Sequence, residues 1–413
     1  MATLAKLVDF HLTNQVNDML DFSTFIVEEE VKKEGKKLKH LDHVDRLHLN
    51  YGHDGAATSE KHMMGFHNKL LGKNENSIHA STKYDGAPSV IFGQHPETGK
   101  FFVSTKSAHN KNPKINYTDE DVDINHGHAP GLAEKMKYAL KHLPSIMPRH
   151  GGVYQGDLMH TEGDATTHKG MTSITPNSIT YSAPSDSAEG IAMRKKKLGI
   201  VVHTKDALTD AKPLDDKTRA KFKEHPEVNN INPTMEVNPN NYTPDEQKEF
   251  LSHMNQARKT YASMKPESMD ALEGHNVNLE GHVNDMVRTG GKASTDGYMK
   301  HMANRLNKKI ETLKTQSAKD KYISQHADLI NHITQNKEHF DKAFKLHHHL
   351  KAAKEVLNGV VAKNSPYGHS MNGVESGPEG TVVVDKEGNA SKFVPNTFSS
   401  YNLTGGRFQK GNS

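Results

Sequence analysis

Residues Ser81–Gly93 read "STKYDGAPSVIFG". Lys83 stands two places before Asp85 and three before Gly86, and Pro88 then leads into the apolar run Val90, Ile91, Phe92. Gly86 and Pro88 shape a tight turn and the apolar run reads as a strand, so the stretch presents a lysine from a turn just ahead of a strand. One reading is an exposed lysine in a turn. The other is a nucleophile: a neutral amine attacks phosphorus, but an ordinary lysine is protonated at neutral pH and needs a partly desolvated or cationic setting. A Lys-x-Asp-Gly pattern alone occurs by chance, so the neighbouring chain has to decide.

Outward from this stretch, residues 78–205 consist of short β-rich runs, "SVIFG", "KFFVSTKS", "GGVYQGDLM", "SITYSA" and "KLGIVVHT", separated by Gly, Pro, Asn or Ser and interrupted by one helix, "GLAEKMKYALKHL". This pattern predicts an α+β domain with an antiparallel sheet. On the N-terminal side, residues 1–77 read as a helical segment. "NQVNDMLDFSTFIVEEEVKK" has apolar residues at three- and four-residue spacing, and "DGAATSEKHMMGFHNKLLG" offers Ser59 as a cap, a core stripe of Met63, Phe66 and Leu70, and Gly72 as a stop. Residues 206–370 change character to long polar stretches with helical apolar spacing, a large helical insertion. Residues 371–413 return to β: Thr381–Asp385 and Ala390–Val394 flank the turn signal "KEGN" and predict a hairpin. The β-rich domain is therefore split into 78–205 and 371–413.

With 413 residues, 33% of them hydrophobic and 25% charged, the chain is a soluble globular type with room for more than one domain. No apolar run approaches membrane-spanning length, and "MATLAKLVDFHLTNQ" lacks the features of a signal peptide, so a cytoplasmic location is expected. The absence of cysteine excludes disulfides, thiolate metal sites and cysteine catalysis. A net charge of +3 permits a nucleic-acid partner without identifying one. Histidine is abundant, at 29 residues. Adjacent His347, His348 and His349 point to different sides of a helix, which suits a solvated face better than a zinc site.

The series "KYDG", "VYQGDLM", "KLGIVVHT", "PEGTVVV" and "ASKFV" resembles, in that order, motifs I, III, IIIa, IV and V of the covalent nucleotidyltransferase superfamily: ATP-dependent DNA ligases, RNA ligases and mRNA capping enzymes. The wording "KYDGAP", "PEGTVVV", "SKFV" and "FSSYN" looks most like ligase-like proteins of large tailed phages, which would place the protein in the host cytoplasm. The resemblance covers roughly residues 40–205 and 375–405 and implies an antiparallel-sheet nucleotidyltransferase (ATP-grasp-like ligase) domain. It also implies ATP and Mg²⁺ as cofactors, with Lys83 becoming adenylylated. Lys392 inherits the α-phosphate contact, Glu379 the metal, and Asp157 the ribose, in place of the more usual glutamate. Asp85, Gly86, Lys106 and His203 complete the implied nucleotide-binding set. Lys106 stands where many relatives have arginine, and His203 is the ring available where relatives stack an aromatic on adenine.

The sequence departs from the family in three places. Motif V usually reads Lys-x-Lys, and Ala390 occupies the first position, with Lys386 as a possible substitute on the facing strand. A second Glu-Gly at Glu189 precedes the apolar strand and so reverses the motif order; the basic run Arg194–Lys197 after it suits a solvated loop. Few residues follow Lys392, which leaves no room for an OB-fold; RNA ligases often use helical domains instead, which favours RNA slightly over DNA. Two function classes follow: an ATP-dependent polynucleotide ligase, or a non-catalytic nucleic-acid-binding or virion protein that keeps the fold. On the first, the insertion's Lys308, Lys309, Lys314 and Lys351 are candidates for phosphate contacts with the acceptor.

Overall fold

The computed structural model describes residues 41–73 and 77–404. The helix expected within residues 14–33 lies outside them. In chain order the principal elements are α1 (Leu47–Leu70), β1 (Ile78–Lys83), β2 (Ser89–Gln94), β3 (Phe101–Ser104), α2 (Asp119–His126), α3 (Pro130–His142), β4 (Val153–Thr161), β5 (Thr166–His168), β6 (Met171–Ile174), β7 (Thr180–Pro184), α4 (Ala188–Lys195), β8 (Leu198–Lys205) and β9 (Val228–Asn230). Then come α5 (Pro244–Ala262), α6 (Asn276–Thr289), α7 (Thr295–Thr312), α8 (Gln316–Gln335), α9 (Lys337–Lys363), β10 (Gly368–Met371), β11 (Val374–Ser376), β12 (Gly380–Asp385), β13 (Ala390–Phe393) and α10 (Asn396–Thr404). The protein is α+β, with sheets that are antiparallel except for one parallel pair, β9 on β8.

Two compact units divide these elements. One takes Lys69–Asn241 and Asn358–Pro395; the other takes the described residues up to Asn68, Tyr242–Leu357 and those from Asn396. The expected boundaries at 205/206 and 370/371 therefore move to 241/242 and 357/358. The reason is hydrogen bonding. Residues 228–230 add a strand to β8, and Thr82 donates its N–H to the Pro233 carbonyl, so the segment after residue 205 belongs to the sheets. Its prolines and short runs hide this in the sequence.

Three sheets build the β-rich unit. In the first, β12 lies between β13 and β1. The second has the order β8-β4-β2-β3. The third has the order β11-β10-β7-β6-β5. Val90 and Phe92 of β2, Val103 of β3, Tyr154 and Leu158 of β4 and Ile200 and Val202 of β8 share one core with α3, whose Ala133, Met136 and Ala139 recur at helical spacing. Each large apolar side chain buried there contributes on the order of 2 kcal/mol.

The second unit is helical. Thr243 caps α5 through a capping box with Glu246, and Pro244 occupies the first turn, as "TPDE" signals. Met63, Phe66 and Leu70 of α1 are fully buried, as the stripe requires. Ser59, however, is no cap: it lies inside α1, and its hydroxyl donates to the Val44 carbonyl at 2.7 Å. Gly52 (φ 59°, ψ −131°) kinks the helix instead. His347 also overturns the solvated-face expectation for the triple histidine. It is 2% exposed, and its Nδ1 meets the Asp45 carbonyl at 2.8 Å.

Asp45 itself is buried, and Lys354 Nζ, equally buried, donates to its Oδ1 at 3.1 Å. Burial raises the Asp45 pKa, but Lys354, His347 and Arg46 together hold it well below the usual carboxylate range. Lys354→Met should therefore strand a buried carboxylate and destabilise the helical unit by about 3–5 kcal/mol, while Lys354→Met with Asp45→Leu should recover most of the loss. Urea unfolding followed by circular dichroism checks this, and a single variant as stable as the parent would contradict it.

Buried histidines of this unit, among them His48, His275, His282 and His347, should make it acid-labile. Burial lowers His48, His275 and His282 to about 4 and His347 to about 3. In the unfolded chain they titrate near 6.5, so below that pH the unfolded state binds more protons. Their contribution is complete above about pH 6.5 and is lost as pH falls towards 4. Each proton contributes a slope of about 1.4 kcal/mol per pH unit. The urea midpoint should drop steeply between pH 7.5 and 5; a flat profile would refute this.

Candidate active site

Lys83 is the last residue of β1 rather than part of a turn, and it sits in register with Gly380, the first residue of β12. The residue before that glycine is Glu379, so the strand pairing delivers the acid to the lysine. Gly380 adopts φ +147°, and a Cβ there would lie 2.3 Å from the Phe393 carbonyl oxygen, so only glycine allows this approach to β13. Lys83 Nζ donates to Glu379 Oε1. The lysine side chain is 31% exposed and the glutamate 10%.

Glu379 Oε2 is buried and has no hydrogen-bond partner among the described residues. Burial, seconded by nearby Asp85 and Asp157 and opposed by Lys83, pushes the carboxyl up to about 7. Such an orphaned, electron-rich oxygen suits a cation or a proton better than a purely structural role, because an unpaired buried acceptor otherwise carries its full desolvation penalty.

Lys392 pairs across β13 and β12 with Val382, which in turn pairs with Ser81. Ser81 and Lys83 are two apart on β1, so Lys392 and Lys83 occupy the same face of the sheet. Ala390 is a buried strand residue opposite Val384, and Lys386 lies exposed in the hairpin turn.

The "DGAP" loop after Lys83 is tied to β4. Ala87 N–H donates to the Leu158 carbonyl at 2.9 Å, and Leu158 N–H to the Pro88 carbonyl at 3.0 Å. A Cβ on Gly86 would come 2.7 Å from Asp157 Cβ, so glycine is what lets the loop reach the strand carrying Asp157. Asp85 is buried and occupied with holding this loop. Its Oδ1 accepts from Asn177 Nδ2 at 2.5 Å, and its Oδ2 accepts from the Ser178 and Ile179 N–H groups at 2.6 and 3.1 Å. Its own N–H donates to Tyr181 Oη at 2.7 Å. Asp85 therefore anchors the loop that follows Lys83 to the turn at 177–179. Nothing in the spacing of "TPNSI" marks that turn as its anchor.

Asp157, on β4, faces His203 of β8: Nε2 and Oδ2 are 3.4 Å apart. Burial raises the Asp157 pKa, but His203, Ser89 and Lys83 more than offset this and hold the carboxyl below its ordinary value. Ser89, in register with Asp157 on β2, was not among the candidates read from the sequence. Lys106 is brought less close to this group. It opens a 3₁₀ turn capped by Thr105, exposed, beyond the last ladder pair Ile91–Ser104, although at the same end of the sheet as Ser89. Glu189 falls in the first turn of α4 rather than beside Lys83, and Arg194 of the basic run donates to the Ser185 carbonyl at 2.9 Å.

The site thus combines a lysine, a buried acid with a spare oxygen, a second carboxylate and a second lysine on the same sheet face. The model of a family of unknown function (DUF6267) matches residues 38–407, and the chain belongs to that family. No curated protein and no solved structure matches it. Among the described residues no helix is long and apolar enough to cross a membrane.

Proposed function

We propose that the β-rich unit is a covalent nucleotidyltransferase with the nucleotidyltransferase (ATP-grasp-like) fold, and that the protein is an ATP-dependent polynucleotide ligase, RNA being favoured slightly over DNA. The observation that carries this reading is the pairing of Lys83 with Glu379, a buried acid whose second oxygen has no partner among the described residues. Lys83 first gives up its ammonium proton to solvent; the neutral Nζ then attacks the α-phosphorus of ATP, a P–N bond forms as the bond to the β-phosphate oxygen breaks, pyrophosphate leaves, and the nitrogen's second proton passes to water or to the departing pyrophosphate. AMP then passes to a 5′-phosphate, and a 3′-hydroxyl displaces it as the two ends are joined. Lys392, on the same face as Lys83, would donate to the α-phosphate oxygens and offset their negative charge.

Glu379 fits a Mg²⁺ ligand on the evidence of its orphaned Oε2. Among the described residues no three carboxylate or imidazole groups gather to hold a metal, so Glu379 would share the ion with nucleotide phosphates, as is usual for Mg²⁺. The ion supplies charge neutralisation for the triphosphate; the chain's part is to hold the acid beside the nucleophile. The acceptor is a nucleic-acid end or nick, and exposed Lys308, Lys309 and Lys314 of the helical unit are candidate phosphate contacts, whereas Lys351 is half-buried.

The alternative, a non-catalytic nucleic-acid-binding or virion protein, draws on Ala390, buried where the family carries a second lysine. Incubation with α-labelled ATP and Mg²⁺ separates the two: label that survives denaturation supports the transferase, and its absence over a range of metals and nucleotides rejects it.

A further inference from the structure

His203 is the extra residue of a β-bulge. Along β4 and β8, Gln155 pairs with Thr204 but Gly156 pairs with Val202, so His203 has no partner in the ladder. Bulges commonly re-aim one side chain towards a site. Here the ring is fixed from two sides. Nδ1 lies 2.8 Å from Thr204 Oγ1, which leaves Nε2 to face Asp157 Oδ2 at 3.4 Å. The histidine side chain is 37% exposed and the aspartate 23%, so both are partly open to solvent, and the aspartate also feels the charge of Lys83. Gly86, packed against Asp157 Cβ, restricts the carboxylate from its other side.

We propose that His203 is a positioning residue that holds the Asp157 carboxylate towards the ribose of the bound nucleotide. The pair makes up for the side chain of Asp157, one methylene shorter than glutamate. This rests on the proposed nucleotidyl transfer but assigns His203 a different task from stacking on the base: its ring is committed edge-on to a carboxylate and a hydroxyl. A carboxylate held this way accepts hydrogen bonds from ribose hydroxyls in a fixed direction, and loss of the histidine frees it to rotate into solvent.

The test uses the full chain and compares ATP with 2′-deoxy-ATP and 3′-deoxy-ATP in covalent transfer to Lys83. The parent should prefer ATP to at least one deoxy analogue. His203→Ala should raise KM for ATP about tenfold and shrink that preference, the loss falling mainly on KM. His203→Gln, whose amide nitrogen replaces Nε2, should restore most of both. In an Asp157→Asn background, His203→Ala should add less than twofold. Equal effects on all three nucleotides, or a full additional effect of His203→Ala without the aspartate, would overturn the positioning role and point to base stacking or to folding. A parent protein that takes label from no nucleotide would instead overturn the transferase reading itself.

Discussion

Lys83→Ala should reduce covalent AMP transfer to background while the protein still folds. The first half follows from the proposed chemistry, in which the Lys83 amine beside Glu379 is the nucleophile and Lys392, two strands across, has a different task. The second follows from Glu379. Removing the lysine leaves a buried carboxyl without its cation, ordinarily a severe defect. Here burial has already lifted that carboxyl to about 7, so it can take up a proton and become neutral near physiological pH. Circular dichroism and unfolding midpoints near the parent's should therefore accompany the loss of label. Undiminished labelling of the variant, or a labelled peptide containing a different lysine, would overturn the assignment of the nucleophile.

Glu379→Ala should impair metal-dependent transfer by on the order of 10²-fold or more, since a metal-bridging acid contributes several kcal/mol to the transition state. The defect should persist at saturating Mg²⁺. The same change removes the partner of Lys83, so the conservative Glu379→Gln is a useful second variant: it keeps a hydrogen-bond acceptor for the ammonium but offers the ion no charge. If charge is what matters, both variants should fail alike. Normal activity across a Mg²⁺ titration would reject the role and turn attention to Glu189, which the fold places in the first turn of α4.

Much of the β-rich unit could be read from local pattern. The apolar run 90–92, the valine run 382–384 and the "KEGN" turn each declare themselves within a few residues, and the structure has strands at Ser89–Gln94, Gly380–Asp385 and Ala390–Phe393. β1 does not declare itself, because "IHASTK" has apolar residues at only two of six positions; its strand state comes from pairing with residues almost three hundred places away. The same holds for His347, whose burial is made tolerable by Asp45 near the other end of the sequence. In the site, Lys83, Glu379, Asp157 and His203 were each nominated from the sequence, and the fold sets them near one another. What no pattern could show was which contacts were already taken: Asp85 by the turn at 177–179, and His203 by Thr204 and Asp157.

The lysine and its acid are separated by 296 positions, and β12, the strand that carries the acid into place, is an inner strand of its sheet, paired on one side with β1. During synthesis on the ribosome, β1 must therefore wait on the order of ten seconds with one edge unsatisfied, until the helical stretch and then residues 379–393 have emerged. An open edge of that kind invites pairing with other chains. It also means that a prematurely terminated product carries a lysine with no acid beside it. If the proposed transfer is right, a half-made product would lack the acid that the reaction needs, and two fragments divided within the helical stretch should regain the Lys83–Glu379 pair only when both are present.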